Sequence, residues 1–211
     1  MSALLGLSSK IDWLNEKLGQ AVKWLVLLAV LISAGNAVVR KVFDNSSNAL
    51  LEVQWYLFAA VFMLAAGYTL MRQEHVRIDV LAGKFSKRTQ IKMDIFGICV
   101  FLFPFIIVVT SLSLPLALRA FTSGEMSHNA GGLIRWPVFA LLPLGLALLG
   151  LQGVSELIKR VAFLKGLVPD PTRKGDAKSA EQELAELLLQ KEVAAREQAA
   201  QTAASSAGAR P

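Results

Sequence analysis

Residues 52–79 read EVQWYLFAAVFMLAAGYTLMRQEHVRID. Nineteen residues without a charge, from Val53 to Met71, separate an acidic and aromatic start from a cluster of mixed charges. About twenty apolar residues, at 1.5 Å rise per residue, cross the roughly 30 Å hydrocarbon core of a bilayer. Trp55 and Tyr56 stand where an interfacial aromatic belt is expected, and the basic residues after Met71 stand where cytoplasmic charge is expected. The stretch therefore predicts a transmembrane helix with a defined outer and inner end.

The composition of the whole chain agrees with a membrane protein. Of its 211 residues 54% are hydrophobic, which is too many for an ordinary soluble domain. The net charge is +6, but the basic residues cluster beside the ends of apolar runs, which indicates contact with anionic lipid rather than nucleic acid. Cys99 is the one cysteine and lies in an apolar run, so neither an internal disulfide nor a cysteine metal cluster is expected.

Four apolar runs predict an all-α membrane protein with a four-helix transmembrane domain over residues 21–160. The predicted spans cover about residues 21–39, 53–71, 95–118 and 137–158. Pro104, Pro115 and Pro143 are expected to favour kinks in the third and fourth spans. Residues 161–211 predict a soluble tail that is partly helical or disordered.

The segment before the first span, residues 1–20, carries apolar residues on one helical face: Leu7, Ile11, Leu14 and Leu18. Charged residues occupy the other faces, so the pattern predicts an amphipathic helix that lies in the membrane interface. A polar leader to the first span is the open alternative. A cleaved signal peptide is disfavoured because no convincing small-residue cleavage site follows the apolar run.

The distribution of lysine and arginine predicts the orientation. Twelve lie before the first span, in the middle loop and at the start of the tail: Lys10, Lys17, Lys23, Arg72, Arg77, Lys84, Lys87, Arg88, Lys92, Lys159, Arg160 and Lys165. Four lie in the other two loops: Arg40, Lys41, Arg119 and Arg135. By the positive-inside rule both termini and the middle loop face the cytoplasm.

The middle of each predicted span lacks ionisable side chains. Coupling ions and substrates of transporters need such ligands at mid-membrane, so no substrate path is expected, although a concealed site at the proline-containing spans stays open. A haem protein would need histidines inside its helices, and His75 and His128 are both predicted in loops. A small multidrug exporter would need an acidic residue in its first span, and none is there. Without paired carboxylates, a nucleophile with its base or a phosphate-binding loop, neither an enzyme nor a cofactor is expected.

Four motifs belong together in this chain: Glu52-Val-Gln-Trp-Tyr-Leu-Phe, Ala66-Gly-Tyr-Thr-Leu, His75-Val-Arg-Ile-Asp79 and Trp136-Pro-Val-Phe. They resemble one known family, the small permease subunit (DctQ-like) of tripartite ATP-independent periplasmic (TRAP) transporters, and the resemblance covers roughly residues 10–165. It implies a multi-pass subunit in the bacterial inner membrane, part of a secondary uptake system for carboxylate-type solutes. It also implies two partners: a large permease subunit, which carries substrate and sodium, and a periplasmic solute-binding protein. A standalone membrane adaptor or assembly factor is the alternative.

Three sets of residues are candidate interaction sites. Small residues in the first two spans suit close helix contact in lipid and predict the surface for the large subunit: Ala34, Gly35, Asn36, Ala60 and Gly67. Mixed charges after the second span predict either a cytoplasmic motif that fixes a loop or a merely solvated loop: Arg72, His75, Arg77 and Asp79. Charges in or beside the outer loops predict a docking surface for the binding protein: Asp44, Glu52, Arg119, Glu125 and Arg135.

Overall fold

The computed structural model describes residues 2–43, 47–73 and 85–169, and these ranges are almost entirely helical. The elements are α1 Ser2–Phe43, α2 Asn48–Arg72, α3 Lys87–Gly97, a π-helical turn Ile98–Leu102, α4 Phe103–Ser123 and α5 Trp136–Leu164. Since α3, the π-helical turn and α4 follow one another without a break, four helical segments are long and apolar enough to cross a membrane. The predicted all-α architecture with four spans is confirmed. The predicted tail lies outside the described residues, apart from its start as far as residue 169.

Helix α5 organises the bundle, because it contacts α1, α2, α3 and α4, whereas α2 packs between α1 and α5. One third of the most apolar window of α5 is buried, but only 6% of that of α2. Most apolar side chains of the described helices therefore point outward, as expected for helices surrounded by lipid or by another membrane subunit.

One end of the bundle, called the hairpin end, holds a short hairpin loop, and the other, called the ionic end, holds a group of charged side chains. At the hairpin end α1 and α4 end while α2 and α5 begin, and an isolated antiparallel bridge joins Met126 to Ile134. At the ionic end α1 and α3 begin while α2 and α5 end.

Helix α1 continues through residue 20, where the sequence predicted a boundary between an interfacial segment and the first span. Of the predicted apolar face only Ile11 is buried, while Leu7 and Leu14 are exposed. The buried positions include Asn15, Val22, Ala29 and Asn36, a seven-residue spacing that keeps one seam against neighbouring helices, as in left-handed bundles. The interfacial position of residues 1–20 stays a prediction.

The third span contains a widened turn in front of Pro104. Proline has no N–H, and its ring crowds the carbonyl group four residues earlier. The backbone N–H of Phe103 donates to the carbonyl oxygen of Ile98, a bond across five residues that defines a π-helical turn. The span accommodates Pro104 by this wider turn, and the helices also continue through Pro115 and Pro143.

Candidate functional site

The ionic end holds a buried cluster of charges, called here the ionic cluster: Asp12, Asp94, Glu156, Lys159 and Arg160. Glu156 is 1% exposed and Arg160 is 3% exposed, and their side chains form an ion pair within α5. The Nε of Arg160 lies 3.2 Å from Asp94 Oδ2 on α3. Lys159 pairs with Glu156, and its Nζ also lies 3.1 Å from Asp12 Oδ2 on α1. The cluster therefore ties α1, α3 and α5 together.

Neutral polar side chains extend the ionic cluster between α1 and α5. Asp12 Oδ1 accepts hydrogen bonds from Ser155 Oγ at 2.7 Å and from Gln152 Nε2 at 2.8 Å. Asn15 Nδ2 donates to Gln152 Oε1 at 2.9 Å, and the hydroxyl groups of Ser8 and Ser155 lie 2.7 Å apart. Buried charges are tolerated where each has both an opposite charge and hydrogen bonds, and this arrangement meets that condition.

The ionic cluster was not predicted from the sequence, because Lys159 and Arg160 were assigned to the end of a span and Glu156 was given no role. A signal was present, since the polar positions 152, 155, 156, 159 and 160 of α5 follow the helical spacing of three and four residues. On α1, Ser8, Asp12 and Asn15 follow the same spacing. Two polar stripes facing each other in apolar helices predict such a contact.

At the hairpin end the carboxylate of Glu52 holds the connection between α4 and α5. Its oxygens accept hydrogen bonds from the Ser127 hydroxyl, from Asn129 Nδ2 at 2.8 Å and from the backbone N–H of Leu133 at 2.6 Å. One turn to either side on α2, Asn48 Nδ2 donates to Ala130 O and the Tyr56 hydroxyl donates to Ile134 O, both at 3.0 Å. We call Asn48, Glu52 and Tyr56 with their partners the Glu52 clasp. It fixes the small hairpin of residues 125–135 on α2.

Two glycines and a half-exposed ion pair shape the hairpin itself. Gly131 has φ +71°, and a Cβ on Gly132 would lie 2.9 Å from Asn129 O, so both positions resist a side chain. At its base the backbone N–H of Arg135 donates to Glu125 O at 2.9 Å, and the two side chains pair at 2.6 Å.

These contacts change the predicted docking surface. Glu52 was expected as a surface charge, but it is 1% exposed and fully bonded inside the clasp, so that expectation was wrong. Glu125 and Arg135 are about one third exposed and paired with each other, and Arg119 is exposed at the end of α4. Asp44 lies outside the described residues.

The predicted small-residue surface divides into two parts. Gly67 is buried inside the bundle, and a Cβ there would overlap Asn15 Oδ1 and lie 3.2 Å from Leu148 O. Its predicted contact with another subunit is therefore replaced by contact with α1 and α5. Ala34 and Gly35 are exposed, with open space around Gly35, while Ala60 is half-buried and Asn36 is buried.

Of the predicted cytoplasmic motif, the structure describes Arg72 alone; His75, Arg77 and Asp79 lie outside the described residues. Arg72 Nη2 lies 2.7 Å from Glu16 Oε2, and its guanidinium group sits 5.4 Å from the centre of the Tyr68 ring. The contact connects the end of α2 to α1. Half-exposed ion pairs of this kind contribute about 0–1 kcal/mol.

The described helices offer no group of three or more His, Cys, Asp or Glu side chains that could hold a metal ion. Their buried ionisable side chains, Glu52, Glu156 and Arg160, all lie at the ends of the bundle and are all bonded to other side chains or backbone. Both polar centres hold helices and loops in position.

The chain matches the model of a known protein family. Residues 28–163, more than half of the chain, match the model described as "Tripartite ATP-independent periplasmic transporters, DctQ component". The chain belongs to the DctQ family. The predicted resemblance to the small membrane subunit of TRAP transporters is thereby confirmed. Neither the curated proteins nor the solved structures gave a match.

The DctQ match covers the Glu52 clasp and the α5 side of the ionic cluster, whereas Asp12 and Asn15 lie before its first residue. DctQ proteins are non-catalytic components of a tripartite system, in which they work with a large permease subunit and a periplasmic binding protein. A scaffold with bonded polar centres at both ends is consistent with that family.

The Glu52 clasp leads to a test that needs no partner subunit. Glu52→Gln replaces one carboxylate oxygen by an NH₂ group, which cannot accept a hydrogen bond. Either the bonds from the Ser127 and Asn129 side chains or the bond from the Leu133 N–H are then lost. Amide hydrogen exchange at Leu133 should accelerate about tenfold or more, because a buried bond to a charged group is lost. Glu125→Gln, at the half-exposed pair, is the matched control and should change this rate far less. Equal rates in both variants would show that Glu52 does not hold the hairpin.

Proposed function

We propose that this DctQ protein is a non-substrate-carrying scaffold of a sodium-coupled TRAP uptake system for carboxylate-type solutes. In this role it stabilises the large permease subunit and helps to dock the periplasmic binding protein. The observation that supports this best is the bonding of Glu52, Glu156 and Arg160, since no buried charge of the described helices remains available for a coupling ion or an anionic solute. Sodium and solute are then bound by the large subunit.

The outward-facing apolar surface supports the scaffold role. Leu31, Phe62, Ile107 and Leu112 are each more than half exposed, and large apolar surfaces of membrane helices are covered by lipid or by another subunit. Ala34 and Gly35 add a place on α1 where the backbone of another helix could approach closely.

The location is proposed as the bacterial inner membrane, with both termini cytoplasmic. Twelve lysine and arginine residues lie on the side assigned to the cytoplasm and four on the other side, and this difference supports the orientation. The ionic end then faces the cytoplasm and the hairpin end faces the periplasm. The docking surface proposed for the binding protein consists of Arg119 and the exposed edge of the hairpin, including Glu125 and Arg135.

Reconstitution tests the proposal. The full chain should co-purify with the large permease subunit, and only the two together, with the binding protein, should take up solute into vesicles when sodium is present. Recovery of the chain alone from mild detergent, with transport by the large subunit unaffected, would instead support a standalone adaptor.

The same assay tests docking through one exposed charge. Arg119→Glu should lower uptake at low salt and much less at high salt, because exposed charges act mainly on encounter with a partner. Arg88→Glu, which reverses an exposed charge at the ionic end, is the matched control, and its effect on uptake should not depend on salt in this way. If both reversals behave alike, Arg119 does not belong to the docking surface.

A further inference from the structure

A cavity of about 560 Å³ with mixed polar and apolar lining lies at the hairpin end between α1 and α2, outside the Glu52 clasp. It is lined on α1 by Ser33, Asn36, Ala37, Arg40 and Lys41, and on α2 by Leu51 and Gln54. Positions 33, 36, 37, 40 and 41 follow the three- and four-residue spacing of one helical face, so α1 turns its polar and cationic face towards the start of α2.

The charges of this cavity have no counterpart in the described structure. Neither Arg40 nor Lys41 forms an ion pair or side-chain hydrogen bond with any described residue, in contrast to Arg72, Arg135, Lys159 and Arg160. Two adjacent cations beside amide and hydroxyl groups favour an anion with several oxygen atoms, such as a phosphate.

The two cations also select among ligands that carry a phosphate. Arg40 and Lys41 disfavour a ligand with an ammonium group beside its phosphate and favour one whose charge is negative only.

The position of the cavity points to the source of the phosphate. Arg40 and Lys41 end the uncharged run that starts at Trp24, which places them at the depth of lipid head groups. Below them Val30, Leu31 and Val38 are exposed and provide apolar surface for acyl chains. We propose that this cavity binds the phosphate of an anionic phospholipid, of the phosphatidylglycerol type. This inference goes beyond the proposed transport role and does not depend on it.

Native mass spectrometry of the full-length chain, with phosphatidylglycerol, phosphatidylethanolamine or diacylglycerol added to lipid-free detergent, tests the proposal. Phosphatidylglycerol should be retained best and diacylglycerol, which has no phosphate, least. Arg40→Gln combined with Lys41→Gln should lower phosphatidylglycerol retention about tenfold or more, the loss expected for charge-assisted hydrogen bonds. Arg119→Gln, at an exposed cation of the same end outside the cavity, should retain the lipid normally.

Equal retention of all three lipids, or equal retention by the double variant and Arg119→Gln, would overturn the proposal.

Two further results would reassign the cavity. Displacement of phosphatidylglycerol by millimolar glycerol phosphate would overturn the lipid source in favour of a soluble phosphate. Loss of the lipid on addition of the large permease subunit would overturn the proposal, because it would show that a protein subunit covers the cavity instead.

Discussion

Arg160→Met should destabilise the isolated chain by about 3–5 kcal/mol, the loss found when one partner of a buried ion pair is removed. The ionic cluster has three carboxylates, on Asp12, Asp94 and Glu156, and two cations, on Lys159 and Arg160. Without Arg160 a single cation faces three carboxylates, one of which is almost completely buried. Thermal unfolding in detergent measures the effect.

The matched control is Glu156→Gln, which should cost much less. It leaves two carboxylates and two cations, with Asp12 still beside Lys159 and Asp94 still beside Arg160. The double variant Arg160→Met with Glu156→Met should be more stable than the sum of its single effects predicts, since both members of the buried pair are then gone. Equal losses in Arg160→Met and Glu156→Gln would show that charge balance does not control this end of the bundle.

Gly67→Ala should also destabilise the bundle in the absence of any partner. The added Cβ overlaps Asn15, which is completely buried and bonded to Gln152 at 2.9 Å, and it approaches the backbone at Leu148. Overpacking of this kind costs about 1–3 kcal/mol, and a shift of Asn15 also disturbs the polar contacts to α5. The melting temperature of the isolated chain measures it.

Gly35→Ala is the control, because Gly35 is also helical but nothing lies within 4 Å of the position that its Cβ would take. That change should be neutral or stabilising by up to about 1 kcal/mol, the difference in helix propensity. If Gly67→Ala melts like the unmodified chain and loses only its association with the large subunit, Gly67 belongs to a surface between subunits after all.

The four spans were predictable because hydrophobic length alone decides them, although α2 begins at Asn48, ahead of its charge-free run Val53–Met71. The charge of Glu52 is evident in the sequence, but its burial depends on a hairpin that lies 75 to 81 residues further along the chain. Gly67 was correctly seen as a contact position, yet composition does not tell contact within the bundle from contact with another subunit. The ionic cluster was missed because each of its residues lies near a helix end, where a charge needs no explanation.

The unbroken course of α1 has a consequence for the bilayer itself. Because α1 runs through residue 20 without a break, Lys23 belongs to the same helix and marks the start of its uncharged run Trp24–Val39. Its 16 residues measure about 24 Å, against about 28 Å for the 19 residues Val53–Met71 of α2. Hydrophobic mismatch of this size is relieved by local thinning of the bilayer or by snorkelling of the flanking lysine. To the extent that Lys23 does not snorkel, we expect a thinner bilayer beside α1 than beside α2, with short or disordered acyl chains next to α1.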